Sequence, residues 1–258
     1  MELHLAEFVQ RKHYFHSYER RELAFLHRFL RAGDVYLDVG ANVGVLAIEG
    51  AVAVGASGRA VAIEPIPANV GRLRANAALQ TAVAIDVVQA AIGASTGRLS
   101  LGLTAQQASV GNMGSYSSAA TESSIEVPLR KLDDVVDEVI GPERRVRLLK
   151  IDVEGMEADV LAGAAALFDS ARIDAVLFER NSTLADGQPE SILEGHGFEV
   201  YRLAIGARLR PVGNSPQPGR EHVAAAGLLS SILAWIRGDA RLETLVALRP
   251  ADAPHPGA

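Results

Sequence analysis

The strongest constraint on the fold is an alternation of short apolar strands with helical stretches. Residues 35–39 form a β-branched apolar run that breaks at a glycine turn, residues 40–44, before the apolar helical stretch 45–54. The pattern recurs in predicted strands at 60–63, 85–89, 146–151 and 175–178, and in predicted helices at 67–79 and 156–167. Strands that alternate with helices are typical of βαβ units. The sequence therefore predicts an α/β fold, with a mostly parallel sheet covered by helices on both faces.

The flanking segments complete this outline. We expect a helix at 18–30, short edge strands and loops at 93–128, a helix at 189–195, a hairpin of strands at 197–203 and 207–212, a helix at 223–237 and a final strand at 244–248. No repeat or convincing linker divides the chain. We expect an N-terminal helical segment at 1–33, one domain at 34–250 and a flexible tail at 251–258.

Composition narrows the classes of function. The chain has 258 residues, 48% of them hydrophobic and 22% charged, and contains no cysteine, which excludes disulfides, thiolate metal sites and a cysteine nucleophile. A formal net charge of −6 argues against a nucleic-acid partner and favours a small-molecule or glycan substrate. The late apolar stretch 223–236 is too short to span a membrane. We expect a cytoplasmic protein, for which a homodimer is one compatible assembly.

The glycine turn is the sharpest local motif. Gly40 and Gly44 allow tight turning where the first strand meets a helix, and Asn42 tolerates left-handed backbone geometry. The dinucleotide fingerprint has glycine at the position of Asn42, where a pyrophosphate must approach the main chain. The motif therefore favours a nucleoside that carries an amino-acid carboxylate over a dinucleotide.

Carboxylates follow the predicted strands at the edge where ligands bind in open α/β sheets. Glu64 ends the second strand, where a carboxylate can accept hydrogen bonds from a ribose diol. Asp152 and Glu154 follow a later strand, and strand alternation places Lys150 on the side of Asp152. An alternative interpretation is that Lys150 and Asp152 merely neutralise each other.

A further polar group follows the next strand, at Glu179 and Asn181. If Asp152, Glu179 and Asn181 converge, their oxygen atoms could hold a hard divalent cation. These three residues are the candidate metal ligands.

Together these motifs carry a resemblance to a known family. The segments DVGANVG, AIEPIPANV, VVQAAIG, LLKIDVEGME and LFE, in this order and spacing, resemble the FkbM family of S-adenosylmethionine-dependent methyltransferases over roughly residues 18–248. The resemblance implies a class I methyltransferase fold of the Rossmann-like kind, with a seven-stranded sheet whose last strand is antiparallel. It also implies S-adenosylmethionine as cofactor and O-methylation of a sugar or polyketide-like metabolite.

The resemblance also suggests a role for each matching position. The turn from Asp38 through Gly40, Asn42 and Gly44 matches the loop around the methionine part of the cofactor. Glu64 matches the ribose ligand.

The third-strand end, with Gln89, Ala90 and Ala91, matches the lining of the adenine site. Asp152 lies where relatives place an acid beside the acceptor. A neutral hydroxyl is a poor nucleophile and needs a base. Asp152 is the first candidate, Glu179 the second, and Lys150 completes the predicted catalytic group.

Two alternatives from other classes remain open. An NAD(P)-dependent oxidoreductase would share the sheet and the ribose acid but should carry the full glycine triplet. A noncatalytic cofactor-binding protein would have a degenerate acceptor site, against which the intact Lys150, Asp152 and Glu154 argue.

Overall fold

A computed structural model describes residues 20–79, 83–103, 123–153, 155–181, 188–204, 208–212 and 242–249. The helices in these ranges are α1 (Arg20–Phe29), α2 (Val45–Val54), α3 (Pro67–Ala78), α4 (Leu132–Ile140), α5 (Glu157–Ala162), α6 (Ala165–Asp169) and α7 (Gln188–Gly195). The strands are β1 (Val35–Val39), β2 (Arg59–Ile63), β3 (Ile85–Val88), β4 (Ala91–Ile92), β5 (Gly97–Leu103), β6 (Ser123–Arg130), β7 (Leu148–Ile151), β8 (Ala175–Asn181), β9 (Glu199–Ala204), β10 (Arg208–Pro211) and β11 (Leu242–Leu248).

The main sheet has the order β10-β9-β11-β8-β7-β1-β2-β3. Pairs from β3 through β8 are parallel, whereas β11 runs antiparallel to both of its neighbours, β8 and β9. The predicted class I fold, with a mostly parallel sheet and an antiparallel last strand, is confirmed. The predicted late hairpin is also confirmed, because β10 pairs with β9 and adds an eighth strand at the edge.

Both faces of this sheet are buried under helices. Alternate residues of β1 face opposite ways, so Val35, Leu37 and Val39 join the core beneath α4, α5 and α6. Tyr36 joins the other core, which is covered by α1 and α2. A parallel sheet covered on both faces needs nearly continuous apolar strands, and all five residues of β1 are buried.

Two predicted elements differ from the structure. The strands expected at the sheet edge within 93–128 instead form a separate sheet of order β4-β6-β5. This sheet encloses its own apolar cluster, which includes Ile66, Leu101 and Val127. The single helix expected at 156–167 is two helices, α5 and α6, because the chain turns after α5 at Gly163, where a Cβ would lie 2.2 Å from the carbonyl oxygen of Gly93.

Three further predictions, the N-terminal segment before residue 20, the helix at 223–237 and the tail at 251–258, lie outside the described residues. Of the helices in the described part of the chain, none combines the length and apolar composition that a membrane span requires.

The order in which the chain adds strands to the sheet reverses direction at β1. From β1 the chain continues outward on one side through β2 and β3, and on the other side through β7 and β8. In open α/β sheets, ligands bind outside the carboxyl ends of the strands at such a switch point. The carboxyl ends of β1, β2 and β7 therefore define where a ligand site is expected.

Candidate active site

The glycine turn at the end of β1 is packed against the chain that follows β7. Gly40 has φ +83°, and a Cβ on it would lie 1.8 Å from the carbonyl oxygen of Asp152. Asp152 in turn donates its backbone N–H to the Val39 carbonyl at 3.0 Å. The missing side chain at residue 40 thus lets the two strand ends meet, and it brings Asp152 against the turn.

The rest of the turn is held from α3. Asn42 has φ +51°, which is the left-handed geometry that an asparagine tolerates. Gly44 has φ +93°, and a Cβ there would lie 2.4 Å from Cδ1 of Leu73 on α3. Asn76, also on α3 and 1% exposed, donates its Nδ2 hydrogen to the Val43 carbonyl at 2.9 Å. Asn76 thus fixes the turn through a buried hydrogen bond.

Glu64 joins the end of β2 to the same turn. Its Oε2 accepts the backbone N–H of Asn42 at 3.0 Å, and its Oε1 accepts the N–H of Ile66 at 3.0 Å and Nδ2 of Asn69 at 3.2 Å. The residue is only 4% exposed. Burial raises the pKa of the Glu64 carboxyl above its usual value, while these hydrogen bonds favour the charged form.

A buried lysine joins two carboxylates at the ends of β1 and β7. Lys150 is the register partner of Asp38, and its Nζ lies 3.3 Å from Oδ1 of Asp38 and 3.3 Å from Oδ2 of Asp152. The side chains of Asp38 and Lys150 are 1% and 8% exposed, whereas that of Asp152 is 23% exposed. Asp152 is therefore the member of this acid–lysine–acid group that a ligand can reach.

We expected Asp38 to contact the cofactor, but its side chain is buried. It lies completely below the surface because Lys150 and the packed sheet cover it. Burial raises the pKa of the Asp38 carboxyl, and the Lys150 ammonium opposes that rise. The position of Asp38 fits an indirect role, in which it holds Lys150.

A fourth carboxylate shapes the turn after β7. Glu157, 7% exposed, accepts the backbone N–H of Gly155 at 3.1 Å and that of Val153 at 3.4 Å through Oε1. Burial raises the pKa of the Glu157 carboxyl. Glu157 therefore fixes the backbone of the turn that follows Asp152. Residue 154, a candidate from the sequence, lies outside the described residues.

The register of β8 against β7 places Glu179 on the face of the sheet that carries the acid–lysine–acid group. Phe178 pairs with Ile151 across β8 and β7, so Glu179, the next residue, shares the face of Lys150 and Asp152. The side chain of Asn181 lies outside the described residues. In the described ranges, no three acidic or histidine side chains lie close enough to hold a metal ion, and the cation beside Asp152 is the ammonium of Lys150.

The predicted adenine lining divides between two environments. Gln89 is exposed after β3, whereas Ala90 and Ala91 are buried. Ala91 pairs with Leu129 in the second sheet and contributes to its apolar cluster. Of this group, Gln89 is the residue whose side chain is open to a ligand.

Sequence reasoning gave no role to Asn69, whose amide contacts Glu64 inside the AIEPIPANV segment. The signal lies in its spacing, five residues after the acid and in the first turn of a helix that begins at Pro67. An amide there is within reach of the strand end that precedes the helix.

A family model for the methyltransferase FkbM domain matches residues 38–200, which is well over half of the chain. The chain belongs to the FkbM methyltransferase family. The matched segment contains the glycine turn, Glu64 and the acid–lysine–acid group. The alternative of an NAD(P)-dependent oxidoreductase is therefore set aside.

Solved structures provide further comparisons. A precorrin-6y C5,15-methyltransferase from Geobacter metallireducens is 14% identical with a TM-score of 0.47, over 89% of this chain and 88% of that one. The methyltransferase FkbM from Methylobacillus flagellatus is 15% identical with a TM-score of 0.48, over 93% of this chain and 52% of that one, so this chain spans about half its length. Fibrillarin from Aeropyrum pernix with bound S-adenosyl-L-methionine is 14% identical with a TM-score of 0.46, over 90% and 75% of the two chains. No curated protein matches the sequence.

S-adenosylmethionine is the methyl donor of this methyltransferase. The residues at the switch point fit its nucleoside. Glu64 is held in place by three donors and keeps one acceptor position on Oε2 for a hydroxyl group. The left-handed backbone at Asn42 lets the loop turn tightly beside that carboxylate.

Proposed function

We propose that this FkbM methyltransferase is an O-methyltransferase that transfers the methyl group of S-adenosylmethionine to a hydroxyl of a small molecule. The observation that carries the proposal is the partly exposed carboxylate of Asp152, which lies 3.3 Å from the Lys150 ammonium while the backbone of Asp152 packs against the glycine turn. It is the acid of this group that an acceptor can reach.

Glu64 would bind a ribose hydroxyl of the cofactor. Its carboxylate is preorganised by hydrogen bonds from Asn42, Ile66 and Asn69, so little freedom is lost when a hydroxyl binds. The same bond from Asn42 ties the glycine turn to the ribose ligand. Movement of either group would therefore displace the other.

Asp152 would act as the general base. When bound, the cofactor supplies an electrophilic methyl group, and the protein must place a hydroxyl oxygen in line with it. Asp152 would accept the hydroxyl proton as the new bond forms. Lys150, itself held by Asp38, would fix the orientation of the Asp152 carboxylate through the 3.3 Å contact. Glu179, on the same face, is the second candidate for this role.

The net charge of the chain supports a choice of acceptor class. A chain of net charge −6 offers little counterion release on binding a polyanion, so we infer a sugar, a glycan or a polyketide-like hydroxyl compound rather than a nucleic acid. The described residues around Asp152 supply a carboxylate for proton transfer, and the proposal needs no metal ion.

The test measures S-adenosylhomocysteine formed from S-adenosylmethionine with a panel of hydroxylated sugars and polyketide-like compounds. With an accepted substrate, Asp152→Asn should reduce turnover by about a hundredfold or more, the usual contribution of a general base. Its affinity for S-adenosylhomocysteine, measured by calorimetry, should stay near that of the wild type.

Asp159→Asn is the matched control, because Asp159 is an exposed acid on α5 near the same turn. It should keep full turnover. Turnover that survives in Asp152→Asn would refute the assignment of the base, and products that carry the methyl group only on nitrogen or carbon would refute O-methylation.

A further inference from the structure

Asn69 carries a buried hydrogen-bond acceptor without a partner among the described residues. The residue is 3% exposed, and its Nδ2 donates to Oε1 of Glu64 at 3.2 Å, which fixes the orientation of the amide. The atom left without a partner in this part of the chain is Oδ1. A buried polar atom left unpaired costs free energy, so such an atom calls for a partner beyond the described residues, and a bound ligand is one source of it.

The neighbouring carboxylate is almost saturated. A carboxylate offers about four acceptor positions, two on each oxygen. On Glu64, Oε1 already accepts from Ile66 and Asn69, and Oε2 accepts from Asn42. One position remains, on Oε2. A ribose diol brings two hydroxyl donors, so Glu64 alone has one acceptor position too few.

We propose that Asn69 Oδ1 is the second ribose ligand, accepting one hydroxyl of the cofactor diol while Glu64 Oε2 accepts the other. The inference rests on the proposed placement of the nucleoside at Glu64. It adds a residue that distinguishes a ribose from a deoxyribose. The bond from Nδ2 to Oε1 of Glu64 links the Asn69 amide directly to the carboxylate, so both proposed acceptors belong to one hydrogen-bonded group.

The test is a double-mutant cycle between protein and ligand. Calorimetry measures the affinity of the wild type and of Asn69→Ala for S-adenosylhomocysteine and for its 2′-deoxy and 3′-deoxy analogues. Asn69→Ala should bind S-adenosylhomocysteine about tenfold more weakly, as expected for one lost hydrogen bond. One deoxy analogue should bind both proteins within about twofold, because it already lacks the hydroxyl that Asn69 accepts.

Arg74→Ala, an exposed change on α3, is the control and should bind all three ligands as the wild type does. Equal losses for all three ligands in Asn69→Ala would overturn the inference, since Asn69 would then act only through Glu64. Unchanged affinity of Asn69→Ala would overturn it too and would leave a water as the partner of Oδ1. Both results require that the wild type binds S-adenosylhomocysteine, whereas a wild type that does not bind refutes the proposed function itself.

Discussion

Lys150→Met should be among the most destabilising single substitutions in this protein. The change leaves the carboxylate of Asp38 fully buried without its compensating ammonium. Removing one partner of a buried ion pair typically costs about 3–5 kcal/mol. The second contact, to Asp152, involves a partly exposed side chain and adds at most about 1 kcal/mol. Against a typical total of about 5–15 kcal/mol, the loss is a large share of the free energy of unfolding.

Urea denaturation of Lys150→Met, Asp38→Asn and the double variant measures this coupling. In the double variant both substituted side chains are neutral and the pair leaves no buried charge behind. Its loss of unfolding free energy should therefore be about 2 kcal/mol smaller than the sum of the single losses. Lys131→Met, a change at an exposed lysine, should stay within about 0.5 kcal/mol of the wild type.

The raised pKa of Asp38 determines whether the free energy of unfolding rises or falls with pH. The native state holds the Asp38 proton more tightly than the unfolded chain does, because burial raises the pKa of Asp38 above 3.8. This group therefore makes stability fall as pH rises from about 4 through the raised pKa. Without the ammonium, Lys150→Met should extend that fall to higher pH. Additive single losses, or a Lys150→Met variant whose stability does not depend on pH in this range, would refute the reasoning.

Two further substitutions test the turn and the ribose ligand. Gly40→Ala should be less stable than Gly55→Ala by at least about 2 kcal/mol in urea denaturation. Both glycines have positive φ, but only the Cβ at residue 40 would meet a backbone oxygen, that of Asp152. Equal losses of unfolding free energy in the two variants would mean that the Asp152 carbonyl moves aside freely. Glu64→Ala should bind S-adenosylhomocysteine about 1–3 kcal/mol more weakly in calorimetry, through loss of a charge-assisted hydrogen bond. An unchanged affinity would remove Glu64 from the ribose site.

The main sheet could be predicted because its strands and their ends are marked by residues that lie close together in the sequence. Buried parallel strands consist of short apolar runs, which are visible in the sequence. The end of β1 is marked by Gly40 and Asn42, two residue types that tolerate the positive φ found there. Strand alternation also placed Lys150 and Asp152 on one side. The second sheet was missed because β4, β5 and β6 are held by an apolar cluster whose members are distant in sequence.

The depth of each site residue could not be predicted. Strand alternation gives the face of Asp38, but its complete burial depends on the register between β1 and β7, which places Lys150 over it. The three hydrogen bonds that Glu64 accepts likewise depend on donors from 22 residues before it and from two and five residues after it. Such convergence belongs to the tertiary structure, which a one-dimensional pattern does not contain.

The placement of β11 has a consequence for how the molecule is made. This strand is the last of the sheet in the described chain, yet it fills the gap between β8 and β9, with Leu245 beside Phe178 and Arg202. During synthesis from the N-terminus, the five strands of the sheet from β3 to β8 can assemble first. Until residues 242–248 leave the ribosome, the edge of β8 that pairs with β11 is uncovered. The main sheet is therefore complete only after β11 has been synthesised. A nascent chain stalled before residue 242 should be the species that chaperones retain.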